Sequence, residues 1–174
     1  MRLTSLFRKS AGPERRVYEA IVAAARHPRP YADWAVPDTV DGRFDMIGLH
    51  LFLTLDRLKG AEPQFRQRLT DAFFADMDRS LREMGVGDLS VSKKIRKMAE
   101  AFFGRVSAYD AALAAGQESL TAALRRNVYA GSASPERAAR LAAYALAVRE
   151  NLRSQQAEAI ATGSIAFPQP GNLP

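Results

Sequence analysis

The sequence predicts an all-α domain, and three observations carry that prediction. Alanine, leucine, arginine and glutamate are abundant, and all are good helix formers. Runs of β-branched and aromatic residues, from which strands are built, are scarce. Apolar residues recur at spacings of three and four, the period of a helix face. With 174 residues, 47% of them hydrophobic, the chain holds enough apolar material for one core without disulfide or metal staples. The expected architecture is a compact single-domain bundle of about six helices with one central apolar helix. Its expected limits are residues 13–162, after a basic N-terminal segment over 1–12 and before an extended or disordered tail over 163–174.

In chain order, Leu3, Leu6 and Phe7 sit at helical spacing among Arg2, Arg8, Lys9, Arg15 and Arg16. That pattern suits either a short amphipathic segment touching a membrane or partner, or a frayed terminus. Pro13 opens the first helix, with Val17, Tyr18, Ile21, Val22 and Ala25 as its stripe. His27-Pro28-Arg29-Pro30 ends it, because proline cannot continue a helix and restricts the residue before it. Tyr31 to Asp41 reads as an ordered loop that Trp34, the single tryptophan, pins to the core.

The second helix spans roughly Gly42 to Lys59. Phe44, Ile47, Leu51, Leu55 and Leu58 form one face, while Leu49, Phe52 and Leu53 cover much of the rest. A helix apolar on most sides belongs at the centre, and Gly60 stops it. Pro63 opens a third helix reaching about Met84. Its stripe is Phe65, Leu69, Ala72, Phe73, Met77, Ser80, Leu81 and Met84, with Phe74 at the margin. Gly85-Val86-Gly87-Asp88 breaks it, and two glycines permit backbone angles other residues avoid.

A fourth helix is expected from Ser90 or Ser92, either of which can cap it, along Val91, Ile95, Met98, Phe102, Val106, Tyr109 and Leu113. Lys93, Lys94, Arg96 and Lys97 would then crowd its first two turns, where the helix dipole disfavours cations. That placement hints at a role other than helix stability. A fifth helix covers about Glu118 to Tyr129. A sixth starts at Ser134-Pro135-Glu136-Arg137, a cap followed by proline at the first helical position, and continues through Leu141, Tyr144, Ala145, Val148 and Leu152.

The chemistry-bearing patterns are mostly absent. Without cysteine, thiol nucleophiles, thiolate zinc, iron–sulfur clusters and disulfides are excluded. His27 and His50 have no metal-ligand spacing, and His50, inside the most apolar helix, reads as a satisfied core residue. Asp76 and Asp78 fall on different helix faces, so no carboxylate pair is formed. The Gly85–Asp88 turn lacks the spacing of a phosphate loop. No active site, metal or cofactor is expected, and the chain is expected to work by binding.

The most apolar run, Met46 to Leu55, is about half the length a bilayer span requires. The N-terminus does not read as a secretory signal. A cytoplasmic protein, peripheral on the inner membrane at most, is the expectation. Formal net charge is +6, from 25 basic against 19 acidic residues. That excess favours anionic partners or is simply a solvated basic surface. Lys93-Lys94-Ile95-Arg96-Lys97 lacks the aromatics of a single-strand binder and any helix-turn-helix pattern, so DNA is not expected. It suits lipid headgroups or an acidic protein contact.

The run Phe73-Phe74-Ala75-Asp76-Met77-Asp78-Arg79-Ser80-Leu81-Arg82-Glu83-Met84-Gly85-Val86-Gly87-Asp88-Leu89-Ser90-Val91-Ser92-Lys93-Lys94 is distinctive. It is followed by Arg96-Lys97-Met98-Ala99-Glu100-Ala101-Phe102-Phe103-Gly104-Arg105 and Ala108-Tyr109-Asp110-Ala111-Ala112-Leu113. Together these resemble the ubiquinol–cytochrome c chaperone family, and His50-Leu51-Phe52-Leu53 with Leu55, Arg57 and Leu58 is similar to its upstream helix. The resemblance runs from about Tyr31 to Tyr144.

It implies a non-catalytic factor that assists assembly of the ubiquinol–cytochrome c reductase by binding newly made cytochrome b. Mitochondrial relatives act with a small partner and near the ribosomal exit. This chain looks like a bacterial version without a mitochondrial extension, so a ribosome contact is only an open expectation. Within the block, the candidate partner contacts are Phe74, Asp76, Gly85, Gly87, Asp88, Lys93, Lys94, Arg96, Lys97 and Phe103. Phe74 and Phe103, each beside its helix's main stripe, either meet the client or fill the core between the third and fifth helices. A peripheral lipid- or quinone-binding protein, or a ribosome-associated RNA-contacting factor, is the competing function.

Overall fold

A computed structural model describes residues 12–172. Among these residues there is no strand, and six helices of 13 or more residues carry the architecture. They are α1 (Pro13–Ala25), α3 (Val40–Arg57), α4 (Pro63–Glu83), α5 (Asp88–Ala115), α6 (Gln117–Tyr129) and α7 (Pro135–Arg153). Two one-turn helices join them, α2 (Pro28–Ala32) and α8 (Ala157–Ala161). The N-terminal amphipathic pattern around Leu3, Leu6 and Phe7 lies outside the described residues.

The central helix is α3. Every residue from Phe44 to Thr54 is buried, including the polar Asp45, His50 and Thr54. Its N-terminus is capped by Thr39, whose hydroxyl accepts from the Gly42 amide at 3.1 Å. A side chain at Gly42 would place its Cβ 1.9 Å from the Pro37 carbonyl oxygen, so only glycine fits there. Helices α1 and α7 flank α3, α6 closes against α7, and α4 packs on α1. The α4 and α5 side chains reach α3 through rings: Phe44 stacks on Phe73 at 5.4 Å, and Phe52 meets Tyr109 at 5.6 Å.

Buried polar groups find partners inside this core. The His50 ring bridges α3 and α7, its Nδ1 lying 2.8 Å from the Met46 carbonyl and its Nε2 2.8 Å from the Tyr144 hydroxyl. A carbonyl can only accept, so Nδ1 carries the proton and Nε2 accepts from Tyr144. Full burial lowers the His50 pKa to about 4, which keeps the ring neutral. Trp34 is 5% exposed and packs against Tyr144, and the Tyr129 hydroxyl donates to its carbonyl at 3.1 Å, so the loop is pinned as expected. The segment 163–169 runs without helix along α1 and α3, and its Phe167 ring lies edge-on to His50 at 5.6 Å.

Two local expectations are corrected. Pro28 and Pro30 start the short α2 rather than only ending α1, because proline is tolerated in a first helical turn and His27 Nδ1 accepts from the Arg29 amide. Helix α8 lacks the length for a readable stripe. The fourth expected helix, α5, starts at Asp88 with Gly87 as its N-cap, and neither Ser90 nor Ser92 caps it. Lys93, Lys94, Arg96 and Lys97 therefore lie beyond the first turn, where the dipole is no longer felt strongly.

Candidate functional site

The turn between α4 and α5 is closed by backbone alone. The Gly85 amide donates to Arg82 at 2.9 Å and the Val86 amide to Leu81 at 3.1 Å, the paired bonds of a Schellman close. Gly85 sits at φ +80, in the left-handed region that favours glycine. Gly87 has φ −66 and needs no such freedom. Arg82 fastens the turn from outside, pairing with Asp78 at 2.6 Å and also with Asp88 across the break.

Helix α5 has 28 residues, about 42 Å of length at 1.5 Å per residue. The 13-residue α6 doubles back along its C-terminal half. Its N-terminal half is left with α4 as main neighbour, so α4 and α5 end in a two-helix arm. Burial records this: of residues 88–100, only Val91 is buried. Leu81 at 6% exposure and Val91 at 0% face inward at the arm but stand apart from the main core.

At the arm's base, aromatic rings run from the core to the surface. Buried Phe73 meets Phe74 at 4.9 Å and Phe102 at 5.3 Å. Phe74, half-buried, then meets Phe103 at 6.2 Å, and Phe103 meets Phe102 at 5.4 Å. Phe103 is 56% exposed. The two open alternatives for Phe74 and Phe103 thus divide: Phe74 fills the seam between α4 and α5, and Phe103 carries the same aromatic surface outward.

Beneath the ladder, a carboxyl–guanidinium contact ties α5 to α3. Arg105 Nη2 lies 2.8 Å from Asp45 Oδ1, and its guanidinium sits 5.7 Å from the Phe44 ring centre. Burial pushes the Asp45 carboxyl up to about 7, against the pull of Arg105 and with a smaller push from Asp41. The Tyr109 hydroxyl, buried nearby without a hydrogen-bond partner, is pushed above its ordinary value by burial and then by Asp45.

The expected contact residues do not form one patch. Asp76 faces α1, accepting from the Tyr18 hydroxyl at 2.9 Å, and lies two residues from Phe74, on the opposite side of α4 from that ring. It borders a groove of about 550 Å³ between α1 and α4, lined by charges of both signs including Arg26, Arg68, Arg79 and Asp71. Gly85, Gly87 and Asp88 form the arm's turn. Lys93, Lys94, Arg96 and Lys97 are all exposed on α5 and take part in no ion pair among the described residues. Phe103 and Arg96, seven residues apart, share a face, and Leu89, seven before Arg96, extends it toward the turn.

Two features escaped the sequence. Leu89 is 94% exposed and Met84 53%, both at the arm's turn. Leu89 lies opposite the Val91–Met98 stripe on a helical projection, which is the signal that could have found it. The Asp45–Arg105 pair gave no local signal, since its members sit on different helices. Among the described residues no group of histidines and carboxylates is placed to hold a metal ion, and no helix is long and apolar enough to cross a membrane.

The same fold is found in the crystal structure of the Cbp3 homolog from Brucella abortus. It matches with a TM-score of 0.84 and 45% identity, over 93% of this chain and 92% of that one. A Xenopus laevis protein, ubiquinol-cytochrome-c reductase complex assembly factor 1, is 25% identical over 116 residues, 65% of this chain. The chain spans 58% of that relative's length. The profile of the ubiquinol-cytochrome C chaperone family, one of chaperones rather than catalysts, matches residues 32–167, taking in α3, the ladder, the arm and α7. On that match, over well more than half of its length, the chain belongs to the ubiquinol–cytochrome c chaperone family.

Proposed function

We propose that this protein is a non-catalytic assembly factor that holds newly made cytochrome b, at the cytoplasmic face of the membrane, until the ubiquinol–cytochrome c reductase is put together. The observation that carries this is the aromatic ladder. Phe103 extends a packed row of rings onto the surface, beside half-buried Phe74 and among exposed cations. An apolar contact set on a rigid base suits an emerging apolar helix, because the rings lose little freedom on binding. The basic flank suits acidic or lipid-adjacent segments of such a client. Family membership and the frog relative's printed role in assembling the same reductase support the reading.

The test is recovery of cytochrome b from detergent-solubilised membranes with the tagged protein. The wild type should recover it, and Phe103→Asn should lower recovery about tenfold, the effect of losing a central aromatic contact. The variant should keep its thermal midpoint, since Phe103 is more than half exposed. Absence of cytochrome b from the wild-type recovery would refute the proposal.

A further inference from the structure

The outer face of α5 carries a second arrangement, which shares Phe103 with the client contact and adds Leu89 to it. Leu89, Lys93, Arg96, Lys97 and Phe103 lie within roughly a third of the helix circumference, by 100° per residue. Leu89 and Phe103 stand about 21 Å apart along the axis, with the cations between them. Leu89 is 94% exposed and Phe103 56%, so both ends of the face present apolar side chains to solvent. Lys94 stands at the margin of the face, and Glu100 is the one carboxylate within it. Asp88 is off it and paired to Arg82, and Asp110 further along α5 is paired to Lys59.

We infer that this outer face of the arm is a docking surface for an anionic phospholipid bilayer, with Leu89 and Phe103 entering the headgroup boundary and the cations meeting phosphates. Charge complementarity singles out the occupant. Three exposed cations on the face, with Lys94 beside it, have no ion pairs among the described residues and stand against a single carboxylate. Unlike a solvated basic face, this one is bracketed by apolar side chains that stand more than half in solvent. An RNA contact would use the cations but gives no role to Leu89, since an aliphatic side chain offers no stacking surface. A helix lying in the interface plane needs both parts, apolar side chains reaching a few ångströms inward and lysine or arginine at headgroup level. The exposure of Leu89, Lys93, Arg96 and Lys97 leaves this face of the arm free to lie on a bilayer.

The inference shares Phe103 and the cations with the client reading but turns on Leu89, which that reading does not need. It is tested by sedimentation of the full chain with phosphatidylglycerol-containing vesicles and with pure phosphatidylcholine vesicles, alongside binding to a mixed-sequence RNA. The expected result is binding to the anionic vesicles alone, weakened by salt. Neutralising Lys93, Lys94, Arg96 and Lys97 to Gln should each weaken partitioning about fivefold. Leu89→Gln should cost about tenfold while leaving the charges and the helix propensity intact. Vesicle binding indifferent to Leu89→Gln, equal binding to both vesicle types, or RNA binding in place of vesicle binding would each overturn it. Because cytochrome b capture is measured in detergent, a failure here leaves that reading standing, and the reverse holds too.

Discussion

His50 and Asp45 sit on the same helix and pull the protein's acid stability in opposite directions. His50 has its pKa lowered by burial to about 4 from an ordinary 6.5. Between those values the unfolded chain holds a proton that the folded chain does not. The stability it contributes is complete above the unfolded pKa and is lost as pH falls toward 4, about 3 kcal/mol in all. Asp45, raised by burial to about 7 from 3.8, is protonated in the folded state across a window where the unfolded chain is ionised. Its contribution is therefore lost as pH rises through the same window, by about 4 kcal/mol. The wild type should show a nearly flat stability between pH 4 and 7, measured by urea unfolding. Asp45→Asn, which cannot titrate, should uncover the His50 slope and lose about 3 kcal/mol on acidification. Equal pH profiles for the two proteins would contradict this account. Tyr144→Phe should cost about 1–3 kcal/mol at neutral pH, because it strips the only donor from the buried His50 Nε2. Of these residues, His50 was legible in the sequence from its apolar neighbours. Asp45 was not, because its partner Arg105 comes from another helix and only the fold brings the two together.

Among the elements, α3, α4, α6 and α7 follow the sequence closely because each combines an apolar period of 3.6 with a local start or stop signal. Ser134 accepts from the Arg137 amide and Pro135 follows it, as the pattern requires. Where backbone rather than side chain sets the boundary, the pattern misleads, as at α5, whose start depends on Gly87 and the Schellman turn behind it. Gly85→Ala should cost about 1 kcal/mol, since any Cβ is strained at φ +80. The arm should also be the softest part of the long helices. Amides of Lys93 to Met98 should exchange with solvent faster than those of Met46 to Leu53, because the arm buries little and α3 buries nearly everything. Hydrogen-exchange mass spectrometry checks this, and equal protection would show that the arm is held by something other than α4.

At the scale of the molecule, the helices divide their work. Helices α1, α3, α6 and α7 form the body, and α4 and α5 leave it together as an arm rooted by the Asp45–Arg105 pair and the phenylalanine ladder. The class of fold was legible in composition and period, and the block from Phe73 to Leu113 carried the resemblance to the family that matches over residues 32–167. The division of that block was not legible. Asp76 belongs to the α1 seam, Phe74 to the packing between α4 and α5, and Phe103 to the surface, and that division depends on which helix lies against which. The central claim is that the body and arm together serve assembly of the reductase. It is tested most directly by the quantity of assembled ubiquinol–cytochrome c reductase in membranes of cells lacking this protein, read from b- and c-type haem absorbance and native gel electrophoresis. The account predicts a severalfold loss of the assembled complex, restored by the wild-type chain and poorly by Phe103→Asn. A full complement of active reductase in the deleted cells would contradict it.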